Sequence, residues 1–239
     1  MKKLLMAASA MTLCATAALA QDVVRMGTEG AYPPYNYIDD NGQVAGYERE
    51  LGDELCARAE LTCEWVTNDW DSIIPNLLSG NYDTIMAGMN ITKERAETIA
   101  FTENYTPPAA SKYMALDEGV DLKGAIVAAQ VNTLQSEYVA GAGETLAEYA
   151  TLDDAVAAVR NGEADAVFAD YDALKPFAEE GDLKWVGDDV QLGDGVGMGL
   201  RQSDTELKDK FNKAIESMKA DGTLNDLITK YFGEDAQHY

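Results

Sequence analysis

From Asp22 onward, short apolar runs alternate with longer amphipathic stretches, the pattern of an α/β protein with largely parallel sheets. Val23 to Met26 predicts a first strand. Tyr35 to Ile38 and Val44 to Gly46 flank Asp39-Asp40-Asn41-Gly42, a hairpin turn because Asn-Gly accepts positive φ. A helix is expected over Glu48 to Arg58, with Leu51 and Leu55 one turn apart, and a strand over Glu64 to Val66. Asp71 to Ser79 predicts a helix presenting Ile73, Ile74, Leu77 and Leu78 on one face; Pro75 lies close enough to its start to be accommodated. Tyr82 to Ala87 predicts a buried strand. The rhythm breaks at Thr106-Pro107-Pro108 and a second α/β series begins. Its strands are expected over Ser111 to Ala115, Ala125 to Ala129, Ala166 to Ala169 and Leu183 to Val186. Its helices are expected near Leu134 to Ala140, Leu152 to Asn161 and Tyr171 to Glu180. A glycine-rich run from Leu192 to Gly199 follows. Asp204 to Ala220 then reads as an amphipathic helix, with Leu207, Phe211, Ile215 and Met218 on one face and a stop at Asp221-Gly222. A last helix is expected from Leu224 to Tyr231. The alternation supports two α/β units, without saying whether the chain returns to the first.

The first twenty residues break this pattern. A basic tip at Lys2-Lys3, an apolar stretch from Leu4 to Ala20 and small residues at Ala18 and Ala20 make a secretory signal peptide, with the mature chain starting at Gln21. Leu4 to Ala20 falls short of the roughly 20 residues that span a bilayer. Met11-Thr12-Leu13 lacks the small residues expected before a lipidated cysteine at Cys14, so a stable membrane anchor is not expected. Without Lys2 and Lys3, 16 basic residues face 42 acidic ones, a net charge of −26. Such a surface repels phosphate backbones and anionic lipid, which argues against nucleic-acid or membrane binding. The exported chain keeps two cysteines, Cys56 and Cys63, and in an oxidising compartment an isolated pair reads as a structural disulfide tying a helix end to the next strand. With no histidine near them, a zinc site is not expected. The sole histidine, His238, sits beside the C-terminus, which removes Ser-His-Asp and Cys-His catalysis; carboxylate pairs remain able to do acid–base work.

Several stretches, in order along the whole mature chain, resemble the amino-acid-binding proteins of ABC importers, the group of lysine/arginine/ornithine, histidine, glutamine and opine binders. They are Gly27 to Tyr35, Gly46-Tyr47-Glu48, Trp70 to Pro75, Tyr82 to Arg95, Gly197 to Arg201, Ala220 to Leu224 and Lys230 to Gly233. The Cys56/Cys63 spacing also matches the disulfide common in the basic-amino-acid members. The resemblance implies a two-lobed periplasmic-binding-protein (Venus flytrap) fold with two crossing hinge strands and ligand closed between the lobes. Residues 21–109 plus 194–239 would form the first lobe and 110–193 the second, with hinges near Pro107 to Ser111 and Gln191 to Gly195. It implies a monomer that takes a free amino acid to a membrane permease and uses no cofactor and no catalytic residue.

A free amino acid carries a carboxylate and an ammonium, both costly to bury unpaired. Arg95 resembles the family's carboxylate-binding arginine, and its planar fork suits two oxygens. The turn Asn90 to Thr92 opens a short helix whose free N–H groups also favour an anion. Asp170, at the C-terminal end of a predicted strand, resembles the partner of the α-ammonium, and is also placed to cap the helix after it. Tyr32 and Trp70 resemble aromatic walls, Gly88 exposes backbone, and Asn90 stands where basic-amino-acid binders more often carry serine. In the second lobe the family's Gly-Thr pair reads Asn132-Thr133 here. Thr133 is retained, and asparagine tolerates the positive φ of that turn. Glu29 and Glu48 match positions where basic-amino-acid and opine binders carry acids, and two carboxylates together favour a cation between them. That points to arginine, lysine, ornithine, histidine or an opine. Two alternatives stay open: a neutral polar ligand such as glutamine, with Glu29 and Glu48 structural, and a secreted dehydratase on the same fold, with Glu29, Glu48 and Asp170 as acid–base groups.

Overall fold

The computed structural model describes residues 23–239, so the signal peptide and the cleavage before Gln21 lie outside the described residues. The chain opens with β1 (Val24–Thr28), then a small antiparallel sheet of β2 (Ala31–Tyr32), β3 (Asn36–Ile38) and β4 (Val44–Ala45). Its turn is the expected one: Gly42 has φ 74° and donates to the Asp39 carbonyl at 2.9 Å. Next come α1 (Tyr47–Arg58), β5 (Cys63–Thr67), a 3₁₀ turn at Trp70–Ser72, α2 (Ile73–Leu78), β6 (Thr84–Ile85), α3 (Lys93–Thr98) and β7 (Ala100–Thr106). The second unit holds β8 (Ala110–Ala115), β9 (Ile126–Gln130), α4 (Leu134–Ala142), β10 (Thr145–Tyr149), α5 (Leu152–Arg160), β11 (Ala166–Asp170), α6 (Tyr171–Glu179) and β12 (Lys184–Gln191). The chain closes with β13 (Val196–Leu200), α7 (Thr205–Asp221) and α8 (Thr223–Phe232).

Two five-stranded sheets result, ordered β5-β1-β6-β13-β7 and β10-β9-β11-β8-β12, one in each of two lobes. β13 lies between β6 and β7, so the chain crosses to the second sheet after β7 and returns after β12. The sheets are mixed, not largely parallel. β1 runs parallel to β5 and β6, and β9 parallel to β10 and β11, whereas β13 and β8 run antiparallel to both of their neighbours. Each antiparallel strand is attached to a crossing, where the chain reverses direction.

Four strands lack a sequence signal, the two-residue β2 among them. β7 and β10 carry polar and half-buried positions without clean alternation. β13 lies inside the glycine-rich run, and its glycines serve packing: a Cβ on Gly197 would come 2.7 Å from Ile91 Cδ1. Apolar faces cover the first sheet on both sides, Ile73, Leu77, Ile85 and Ile99 on one and Leu51, Leu55, Phe211, Ile215 and Ile228 on the other. The Cys56–Cys63 disulfide joins the last turns of α1 to the start of β5. Among the described residues, no helix is long and apolar enough to cross a membrane.

Candidate functional site

A narrow cleft lies between the two sheets. Eight of the expected ligand-binding residues line it: Glu29, Tyr32, Trp70, Gly88, Asn90, Arg95, Thr133 and Asp170. They reach it from strand ends and helix starts, where backbone leaves the sheet and side chains are free to converge. Asp170 is the last residue of β11, while Thr133 caps α4.

Arg95, on the first turn of α3, donates from Nη1 to the Asn90 carbonyl at 3.0 Å and from Nη2 to the Asn132 carbonyl at 3.4 Å. Its guanidinium lies 5.3 Å from the centre of the Trp70 ring, a cation–π contact. Burial lowers its pKa, with the nearby Asp170 acting in the opposite sense. Asp170 is buried, and burial raises its pKa. Its carboxylate accepts from the Tyr32 hydroxyl at 2.8 Å, from Gln135 Nε2 at 2.8 Å and from Ser111 Oγ at 3.4 Å. It occupies the capping position of α6 but makes no side-chain cap bond, so its oxygens are turned to the cleft and not to the helix. Glu29 accepts from Gln130 Nε2 at 2.5 Å. Burial, aided by the charges of Glu48, Asp69 and Asp153, pushes its carboxyl up to about 7. Among the described residues, none of Arg95, Asp170 and Glu29 has an ion-pair partner.

The second-lobe turn passes through the left-handed region at Asn132. Asn132 takes φ 57°, as the replacement of glycine by asparagine allows. Thr133 forms a capping box with Ser136 and donates its hydroxyl to the Gln130 carbonyl at 2.7 Å, so the first turn of α4, with Leu134 and Gln135, faces the cleft.

Glu48 requires a correction. It does not line the cleft. It is fully buried on α1, where Oε2 accepts from Asn36 Nδ2 at 2.7 Å and Oε1 from the Gly88 amide at 2.8 Å and from the Tyr105 hydroxyl. The sequence carries the signal for this: Glu48, Leu51 and Leu55 stand at i, i+3 and i+7, on one helical face. The same bond occupies the Gly88 amide, so of its backbone only the carbonyl is left to a ligand. Gln130, Leu134, Gln135 and Ala87 line the cleft without having been expected there. Gln130 ends a parallel strand and Gln135 lies on the first turn of the following helix, positions that favour site residues in open α/β sheets.

Residues 24–234 match the bacterial extracellular solute-binding proteins, family 3. The lysine/arginine/ornithine-binding periplasmic protein of Escherichia coli (strain K12) is 33% identical over 255 residues, covering 97% of each chain. The L-arginine-binding protein of Pseudomonas aeruginosa is 33% identical over 258 residues, covering 98% of each. The crystal structure of a periplasmic His/Glu/Gln/Arg/opine family-binding protein from Silicibacter pomeroyi, in complex with lysine, is 68% identical. It superposes with a TM-score of 0.89 and covers 90% of this chain and 100% of that one.

Proposed function

The chain belongs to the bacterial extracellular solute-binding proteins of family 3, and on that premise we propose that it captures a cationic amino acid in the periplasm and delivers it to the permease of an ABC importer. The observation that carries this reading is the set of unpaired charges in the cleft: one arginine and two acids. A cationic amino acid presents their complement, one carboxylate and two cations. In this reading Arg95 and the first turn of α4 take the carboxylate, and Asp170 takes the α-ammonium. The aliphatic stem lies between Tyr32 and Trp70, near Gly88, Asn90 and Thr133, and the distal cation meets Glu29. A cation beside Glu29 offsets the burial that pushes its carboxyl up, which a neutral ligand does not do. Residues 21–109 with 194–239 act as one lobe and 110–193 as the other. The protein works as a monomer and releases its ligand unchanged.

Thermal unfolding in the presence of each common amino acid, and of ornithine, tests this, because a ligand of the native state raises its melting temperature. Lysine, arginine or ornithine is expected to give the largest shift. A shift from glutamine with none from these three would replace the cationic reading by the neutral one.

A further inference from the structure

We propose that Glu48, which does not touch the cleft, is the positioning residue for two of its walls, through a buried hydrogen-bond relay running from Gly30 to Gly88. The inference rests on the cleft being the amino-acid site. Gly30 follows the cleft acid Glu29, and its amide donates to Asn36 Oδ1 at 2.7 Å. Asn36 is fully buried and passes the relay on, Nδ2 donating to Glu48 Oε2 at 2.7 Å. Glu48 Oε1 then accepts from the amide of Gly88, a cleft residue, at 2.8 Å. The Tyr105 hydroxyl donates to the same oxygen, from the strand that leads to the first crossing. Gly30 and Gly88 both have positive φ, at 75° and 61°, and Gly88 packs so closely on Tyr32 that a Cβ would come 2.9 Å from its ring. A glycine backbone has little preference of its own, so its place is set by what its amide binds.

The direction of each bond dictates the residue. The two backbone amides only donate, and Asn36 offers oxygen to one side and nitrogen to the other. Position 48 must therefore accept at both ends of its head group, which an ionised carboxylate does and a carboxamide does not. In Glu48→Gln, the new NH₂ faces either Asn36 or Gly88. Facing Gly88, it opposes one N–H to another. Facing Asn36, it forces that amide to turn, and Gly30 loses its acceptor. Either way a cleft wall is released. Adding Asn36→Asp repairs the pattern, since a carboxylate there accepts from Gly30 and from the new NH₂, while the oxygen at position 48 keeps Gly88 and Tyr105.

The test compares wild type, Glu48→Gln and the Glu48→Gln/Asn36→Asp pair by calorimetric titration with L-lysine, thermal unfolding and the Gly30 and Gly88 amide resonances. The single change is expected to weaken lysine by at least about tenfold and to move one of the two resonances. The pair is expected to return affinity to within about threefold of wild type and to restore the resonance. Lysine affinity unchanged in the folded single variant, with only its melting temperature lowered, would make Glu48 merely structural and overturn the proposal. So would a pair that stays weak or does not fold, and the pair alone decides if the single variant does not fold. Wild-type protein that binds neither lysine nor arginine would fail the cationic reading instead, and the amide resonances would still decide the relay.

Discussion

At the scale of single residues, the cleft is a set of charges held apart and unmatched. Arg95 uses its donors on two backbone carbonyls and its face on Trp70, and among the described residues meets no carboxylate within ion-pair distance. If it pairs the ligand carboxylate, Arg95→Ala leaves that charge stranded at a cost of roughly 3–5 kcal/mol. Affinity for lysine in calorimetric titration should then fall by about two to three orders of magnitude while the fold persists. Glu29 predicts a pH dependence. Its carboxyl is pushed up to about 7 in the unliganded protein, and pairing with a ligand cation pulls it down. Cation binding therefore releases a proton below pH 7, and affinity for lysine should be full above about pH 7 and fall by at most about tenfold per unit below it. Glu29→Gln should flatten that profile and weaken lysine, while leaving affinity for a neutral amino acid nearly level with pH. In the unliganded protein the same group is protonated more readily when folded than at its ordinary 4.5. The stability it contributes is present at low pH and is lost as pH rises from about 4.5 to 7. Arg95 and Asp170 were legible in the sequence because each sits in a local stretch that resembles the family's. Glu48 was misplaced because a carboxylate one turn before Leu51 is equally compatible with a cleft and with a buried relay. Which it joins depends on Asn36, 12 residues away, and on Gly88 and Tyr105, 40 and 57 residues away.

At the scale of elements, the second-lobe contribution rests on how α4 starts. Its entry needs Asn132 in the left-handed region, and the carbonyl so turned receives Trp70 Nε1 and Arg95 Nη2 from the first lobe, both at 3.4 Å. Asn132→Gly should leave folding and binding close to wild type, since glycine takes this φ freely. Asn132→Val places a β-branched residue there and should cost about 1–2 kcal/mol of stability in denaturant unfolding, with weaker lysine binding. The helices were legible because their apolar faces repeat: α7 buries Phe211, Ile215 and Met218 as its periodicity requires. The strands β7, β10 and β13 were not. Alternation follows from one buried and one solvated face, which β7 and β10, edge strands of their sheets, do not keep, and in β13 small residues are required by the close approach of Ile91.

At the scale of the whole molecule, site side chains bridge the lobes directly. Tyr32 donates to Asp170 and Gln130 donates to Glu29 across the cleft. The same groups serve a ligand in the proposed reading, so closure and binding draw on one set of donors and acceptors. Lobe closure is favoured only by as much as the ligand prefers the closed form. With lysine at saturation, small-angle scattering should give a smaller radius of gyration than without it, the motion centred on Pro107 to Ser111 and Gln191 to Gly195. An identical curve would mean a cleft that does not open about those segments.

The α/β alternation, the break after Thr106, the disulfide partners and, through resemblance, the charged groups of the cleft are readable from the chain, because they depend on local periodicity, on residue chemistry or on short stretches read in order. The insertion of β13 between β6 and β7, the mixed direction of both sheets and the burial of Glu48 emerge only in the folded molecule. Strand order and the fate of a buried carboxylate are set by partners outside the local stretch, such as Gly88 and Tyr105, 40 and 57 residues from Glu48, whose hydrogen bonds must all be satisfied together once water is excluded.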